Sequence, residues 1–304
     1  MKVLITGAAG FIGSHLHEQL RNEGHEVLCI DNFSHASKNP INEFVESRDI
    51  RSKNVMELLV EPVDIVFHLA AQIHVDKSIQ NPLETISINV NGTLNVLEAC
   101  LKYKKKLVFA SSSEVYGSSQ TPYMSETHQL DAQSPYAASK VAGDRLCKAY
   151  MDTYGLDICI LRNFNTFGPW QNDGGEGSSY GAVIGIFTRA ALRGEPITIF
   201  GDGTQERDYM YITDALQAYK IATGYTGVLN AGSGKTVSIK RLAERIIEIT
   251  QSKSPIIYIA PRAGEVQRLC ADISRIHNLG FTSSITFSEG LAQYVTWYKQ
   301  NLAS

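Results

Sequence analysis

The first half of the chain alternates short, almost wholly apolar runs with segments of helical periodicity, and nothing else in the sequence constrains the fold as tightly. Val3 to Thr6 opens into Gly7, and helical spacing follows at Phe11, Ile12, Leu16 and Leu20, with Gly24 where a helix would stop. Val27 to Ile30 comes next and ends in Asp31, and Val63 to Leu69 repeats the pattern. Asn89 to Lys102 reads as a helix with Val90, Leu94, Val96, Leu97 and Leu101 on its apolar side. The runs Leu107 to Ala110 and Ile158 to Leu161 flank another helix, over Tyr136 to Tyr154. Strands without polar alternation belong in a parallel sheet covered on both faces. Repeated β-α-β units with right-handed crossovers make it an α/β fold with a doubly wound sheet.

Beyond Arg162 the pattern changes. Residues 172–179 read as a loop, Val183 to Arg193 as a helix, Ile197 to Phe200 as a strand, and Gly201-Asp202-Gly203 as a turn. Helices are expected again over Ile239 to Thr250 and Glu289 to Trp297. The expected division is 1–165 for a nucleotide-binding domain and 166–304 mainly for a smaller C-terminal α/β substrate domain. Segments from about 205–235 are expected to return to the first domain.

Gly7, Gly10 and Gly13 sit at a G-x-x-G-x-x-G spacing between the first strand and helix, and enclose Phe11 and Ile12. Glycines there permit a tight turn, an approach of backbone amides to a pyrophosphate, and close packing of helix on strand. Asp31 ends the second strand, where a carboxylate accepts hydrogen bonds from an adenosine ribose and repels a 2′-phosphate. No Arg or Lys follows before Lys38, so the expected cofactor is NAD rather than NADP. Asp49-Ile50 either places a carboxylate near the adenine amine or is a solvated loop acid. Leu69-Ala70-Ala71 closes its strand with small residues that suit a backbone lying against the cofactor. Gly232 to Thr236 is similar to part of a P-loop, but Leu229 stands where that motif needs its first glycine, and a strand-to-helix turn is expected instead.

Tyr136 and Lys140 stand at i and i+4, on one helix face. Oxidising an alcohol requires a base for the hydroxyl proton, and a phenol beside an ammonium and an oxidised nicotinamide has its phenolate favoured. The run from Phe109 to Gly117 begins as a strand and ends in a turn. It delivers Ser112, Ser113 and Glu114 at a strand's carboxyl end, where open α/β sheets bind ligands. Serines at a strand end also serve as caps of backbone groups.

Composition narrows the partners. Lys and Arg number 28 against 31 Asp and Glu, a net charge of −3 with no basic block, which argues against nucleic acid. No apolar run reaches membrane-spanning length, and the chain opens directly on MKVLITG, so neither a membrane span nor a signal peptide is expected. The cysteines at 29, 100, 147, 159 and 270 are scattered, with no C-x-x-C, and read as reduced thiols in a cytoplasmic protein without a metal site.

With these residues in hand, the sequence resembles the extended short-chain dehydrogenase/reductase superfamily, in particular its NAD-dependent nucleotide-sugar epimerase/dehydratase branch. The likeness runs through GAAGFIGSHL, Asp31-Asn32, HLAAQ, NVNGTLNVLEAC, SSSEVYG, SPYAASK, RNFNTFGP, IFGDGTQERDYMYITD and PRAGEVQ, and so covers almost the whole chain. The resemblance implies that Ser112, Tyr136 and Lys140 form an oxidation triad, with Tyr136 as base and Lys140 on the nicotinamide ribose. It implies a bound, recycled NAD and a UDP- or dTDP-hexose oxidised at C4. Asn165, Arg207 and Arg262 match positions that contact the nucleotide-sugar phosphates, Phe200 one beside the base, and the loop from Trp170 to Tyr180 one near the sugar.

Glu114 bears on the fate of the 4-keto sugar. In 4-epimerases its slot resembles Ser, Ala or Thr, whereas in dehydratases and decarboxylases it is a Glu that works at C5. Ser113 replaces the Asp of the usual 4,6-dehydratases, so Ser113-Glu114 looks more like the decarboxylases and some divergent dehydratases. The leading expectation is C5 chemistry by Glu114, ending in dehydration or decarboxylation. The alternative is a UDP-glucose or UDP-N-acetylglucosamine 4-epimerase in which Glu114 only contacts the sugar. An NADPH-dependent keto-sugar reductase is opposed by Asp31, and a non-enzymatic dinucleotide sensor need not keep Tyr136 and Lys140. The helices near 85–104 and 134–154 suggest a homodimer, as the family often has.

Overall fold

The computed structural model describes residues 1–37, 39–119, 121–171, 182–261 and 266–301. Its first six strands are β1 (Lys2–Thr6), β2 (Glu26–Asp31), β3 (Glu46–Ser47), β4 (Ile65–His68), β5 (Lys106–Ser112) and β6 (Ile158–Asn163). β7 (Asn165–Phe167), β8 (Ile197–Phe200) and β9 (Glu206–Tyr211) lead on to β10 (Gly227–Ala231), and β11 (Thr236–Ser238), β12 (Ile256–Ile259) and β13 (Arg268–Leu269) complete the set. Between them run α1 (Phe11–Asn22), α2 (Lys53–Val60), α3 (Val75–Gln80), α4 (Pro82–Ile86), α5 (Thr93–Tyr103) and α6 (Pro135–Tyr154). The remaining helices are α7 (Val183–Arg193), α8 (Ile212–Thr223), α9 (Ile239–Thr250), α10 (Ser274–His277) and α11 (Phe287–Asn301).

Seven strands form one parallel sheet in the order β10-β6-β5-β4-β1-β2-β3. Alternate residues of each strand serve opposite faces. Val3, Ile5, Phe67 and Leu161 join a core with α1 and α8, while Leu4, Val66, Ile158 and Ile160 join another with α2, α5 and α6. This is the doubly wound, Rossmann-type sheet that the sequence predicts. Strand order reverses between β1 and β4, and such a switch point opens a crevice at the carboxyl ends of the strands. After β6 the chain leaves the sheet and builds two small ones, β11-β9-β13 with β7 beside β9, and β12-β8. It returns for α8 and β10, then leaves again.

Four expectations need correction. The helix expected from Asn89 opens instead as a π-helical segment, Ser87–Gly92, before α5. There Asn89 turns its amide onto the Gln72 carbonyl and Ser139 Oγ, both at 2.8 Å, and Gly92 leaves room for Ile50. Gly232 to Lys235 forms a turn from β10 to β11, a strand, with α9 only beyond it. Its amides are spent on a carboxylate: Ser233 N–H and Gly234 N–H donate to Asp208 at 2.8 and 2.9 Å. The strand expected over Val63 to Leu69 is shorter, Ile65–His68. The last helix is longer than Glu289 to Trp297, because a capping box of Thr286 and Glu289 starts it early and Tyr298 extends its buried face.

At the switch point the chain is too crowded for side chains. Gly7 has φ +75°, and a Cβ there would lie 2.6 Å from Ala70 N; a Cβ on Gly13 would lie 2.3 Å from the Gly7 carbonyl oxygen. Gly7→Ala therefore combines backbone strain with overlap and is expected to cost about 2–5 kcal/mol. Urea unfolding measures it; a midpoint equal to wild type would contradict this packing.

Candidate active site

The crevice holds a cavity of about 250 Å³. Gly7, Gly10, Phe11, Ile12 and Gly13 line it from one side, Leu69, Ala70 and Ala71 from another, and Asp31, Asn32 and Ile50 close one end. Gly10 is the N-cap of α1 and offers no side-chain acceptor, and the first turn carries no acid, so the helix start presents amides to the cavity. Asp31 shapes this wall, since its Oδ2 accepts from Ala9 N–H at 3.1 Å and its Oδ1 from Phe33 N–H at 2.7 Å. Burial raises the Asp31 pKa, against the lowering effect of these backbone donors. A wall of bare backbone, a helix start and a carboxylate fit a dinucleotide.

The opposite end brings Ser112, Tyr136 and Lys140 onto the same cavity. The helix bearing the last two begins sharply: Ser134 caps it by accepting from Ala137 N–H at 3.1 Å, and Pro135 takes its first position. Lys140 is buried, with Nζ donating to the Ala110 carbonyl at 2.6 Å and lying 4.8 Å from the Phe109 ring centroid. Burial lowers its ammonium to about 8, opposed by Cys147 and Asp144. Of the serines, Ser111 donates to Asp144 at 2.9 Å, while Ser112 Oγ accepts from Glu114 N–H at 3.2 Å and lines the cavity. Capping and cavity lining thus coexist in Ser112.

The remaining described candidates are not among the residues lining that cavity. Ser113 is buried, and with Glu114 it opens the 3-10 turn Ser113–Tyr116. Burial raises the Glu114 carboxyl, opposed by the charge of Arg207. Arg207 lies on β9 and Asn165 on β7, where the Asn165 side-chain amide donates to the Asp208 carbonyl at 3.2 Å; Phe200 ends β8. Asp49 is gripped by Arg51, whose Nε lies 3.0 and 3.1 Å from its two oxygens, and the ion pair lowers its carboxyl to about 2. Arg262 and most of the loop after Trp170 lie outside the described residues.

A family model described as the NAD dependent epimerase/dehydratase family matches residues 3–232. The chain belongs to that family. It is an enzyme of the family, and its cofactor is NAD. A Methanocaldococcus jannaschii protein, provisionally named a UDP-glucose 4-epimerase, is 39% identical over 98% of this chain and 99% of its own. A UDP-N-acetyl-alpha-D-glucosaminuronate decarboxylase of Bacillus cytotoxicus is 35% identical over 98% of each chain. The crystal structure of a Thermotoga maritima UDP-glucose 4-epimerase with UDP-glucose superposes with a TM-score of 0.93 at 32% identity, covering 99% of this chain and 100% of that one.

Several residues of this epimerase/dehydratase cavity wall are not among those the sequence pattern singles out. Asn163 ends β6 on the cavity, a place the carboxyl-end rule would have flagged. Arg48 also lines it, a cation near Asp31 despite the bare stretch before Lys38, because β3 pairs with β2 and Arg48 N–H donates to the Asp31 carbonyl at 2.9 Å. His35 and Tyr219 had no signal. Among the described residues, no group of acids, histidines and cysteines could hold a metal, and no helix is long and apolar enough to cross a membrane.

Lys140 yields a prediction for NAD-free protein. Between its folded value of about 8 and the usual 10.5, the unfolded chain holds the proton that the folded chain has lost, so stability rises with pH across that window. Wild type is expected to gain on the order of 3 kcal/mol over Lys140→Met between those limits. Urea titrations of both proteins at several pH values test it, and a constant difference would refute it.

Proposed function

We propose that this enzyme oxidises C4 of a UDP- or dTDP-hexose and then uses Glu114 at C5, so that the 4-keto sugar loses water or carbon dioxide before the hydride returns. The observation that carries the reading is the place of Glu114, a half-buried carboxyl of raised pKa two residues beyond the cavity-lining Ser112. Tyr136 takes the proton of the C4 hydroxyl, and the Ser112 O–H steadies the same oxygen. Lys140 would hold the nicotinamide ribose, and Asp31 and the glycine turn would hold the adenosine and pyrophosphate. Bound NAD supplies the acceptor for the C4 hydride and the source for its return. For loss of water, Glu114 takes the C5 proton, made acidic by the new ketone, and the C6 hydroxyl leaves as water with that proton. For loss of carbon dioxide, the C5–C6 bond of a 4-keto uronate breaks, and Glu114 in its acid form delivers a proton to C5. A carboxyl of raised pKa suits both roles better than an ordinary one. Arg207, with Asn165 and Arg262, would hold the nucleotide phosphates, since guanidinium forks suit them. Phe200 would lie beside the base, and residues 166–304 would build most of this side of the site.

One finding favours a second reading, a 4-epimerase with Glu114 as a sugar contact: the near-complete superposition on the Thermotoga maritima enzyme. Exposed Ile79, Leu83, Ile86 and Leu94 support a homodimer through the outer faces of α3 to α5.

Two variants separate the readings. Tyr136→Phe is expected to retain NAD and lose hydride transfer by roughly 10²–10⁴-fold. Glu114→Gln should keep oxidation, read as transient reduced-nicotinamide absorbance, and lose deuterium uptake at C5 from heavy water. Undiminished turnover in the first would remove Tyr136 from its role, undiminished C5 exchange in the second would remove Glu114 from C5, and wild-type turnover without C5 exchange would leave the epimerase.

A further inference from the structure

Tyr116 closes the turn that begins with Ser113 and Glu114, and it is among the largest wholly buried side chains of the chain. Its hydroxyl donates to Asn230 Oδ1 at 2.6 Å and accepts from Arg162 Nη1 at 3.0 Å. The Arg162 guanidinium also lies over its ring, 5.0 Å from the centroid. Burial pushes the Tyr116 phenol up to about 12, so it keeps the proton that it donates at any working pH.

Arg162 is fixed in turn. Its Nε and Nη2 each donate at 2.9 Å to the two oxygens of Asp144, and both side chains are buried. Asp144 stands one helical turn beyond Lys140 on α6, and it accepts from Ser111 Oγ beside Ser112. An unbroken run of hydrogen bonds therefore leads from the helix of Tyr136 and Lys140, through Asp144 and Arg162, to the far end of the turn bearing Glu114. Beyond that end the backbone is pinned too: Gly117 has φ +65°, and a Cβ there would lie 2.0 Å from the Asp131 carbonyl oxygen.

We propose that Tyr116 is a positioning residue, whose hydroxyl, held by Arg162, sets the turn bearing Glu114 against the helix bearing Tyr136 and Lys140. This rests on the reading of Glu114 at C5. Oxidation at C4 and proton removal at C5 act on adjacent carbons of one ring, so the two groups must keep a fixed separation. The bidentate bond to Asp144 supplies a rigid origin, and the phenol carries that origin to the turn.

Tyr116→Phe removes one oxygen atom and keeps the ring packed on Phe164. The NAD-bound protein is mixed in heavy water with whichever of UDP-glucose, UDP-N-acetylglucosamine, UDP-glucuronate and dTDP-glucose it turns over. Two rates are read: appearance of reduced nicotinamide and deuterium at C5. The expected result is oxidation within about twofold of wild type and C5 exchange slowed roughly tenfold or more, as small displacements of a reacting group cost that much. Arg162→Lys, which gives up the fork on Asp144 as well as the contact with Tyr116, should instead slow both rates. In Tyr116→Phe a purely structural role would slow both rates by one factor, and that result, or C5 exchange at the wild-type rate, overturns the proposal. Wild-type turnover without C5 exchange would instead remove the Glu114 reading, and this inference with it.

Discussion

The buried ion pair between Asp144 and Arg162 is the interaction on which the end of the cavity lined by Ser112, Tyr136 and Lys140 depends. Neither partner has water to fall back on, so removing one leaves an uncompensated charge in the interior, at a cost of about 3–5 kcal/mol. A pair of apolar residues would fill the space at less cost in desolvation, but would not say how far α6 may slide or rotate over β5 and β6. The two-pronged contact does say so. It fixes the helix by its third turn, and with it Tyr136 and Lys140, against the strand ends that supply Ser111, Ser112 and Asn163. The cavity inherits its geometry from that contact.

The end lined by the glycine turn is built on the opposite principle. There the wall is backbone, and the requirement is the absence of side chains at Gly7 and Gly13. Asp31 serves twice, since its carboxylate receives the amides of Ala9 and Phe33 and so holds the glycine turn in the shape that leaves the start of α1 exposed to the cavity. Lys140 is placed where water is scarce, which lowers its pKa and makes its charge sensitive to what binds beside it. One end offers shape and amide donors, the other presents side chains held by a buried charge network.

How much of this is legible in the sequence depends on the range of the interactions. The helices Val183–Arg193 and Ile239–Thr250 and the strand Ile197–Phe200 match their apolar periodicity residue for residue, because amphipathic burial is a local pattern. The i, i+4 spacing set Tyr136 and Lys140 on one face for the same reason. The wrapping of Asp208 by Ser233, Gly234 and Ala271 and the arrival of Arg48 beside Asp31 join segments whose pairing no local pattern announces. Among three consecutive serines, only the fold distinguishes Ser111, spent on Asp144, from Ser112 on the cavity. The π-helical start at Ser87 was hidden likewise, since it answers to Gln72 and Ser139 from other elements.

The central claim is that this fold performs a redox step and then undoes it, with C5 chemistry between. Mass spectrometry of the products from UDP-glucose, UDP-N-acetylglucosamine, UDP-glucuronate and dTDP-glucose, with the NAD content followed in the same tube, tests it most directly. The expected result is a product lighter by water or carbon dioxide and no net change in NAD. A product of unchanged mass separable by chromatography would reduce Glu114 to a sugar contact, and stoichiometric consumption of NAD would contradict the claim outright.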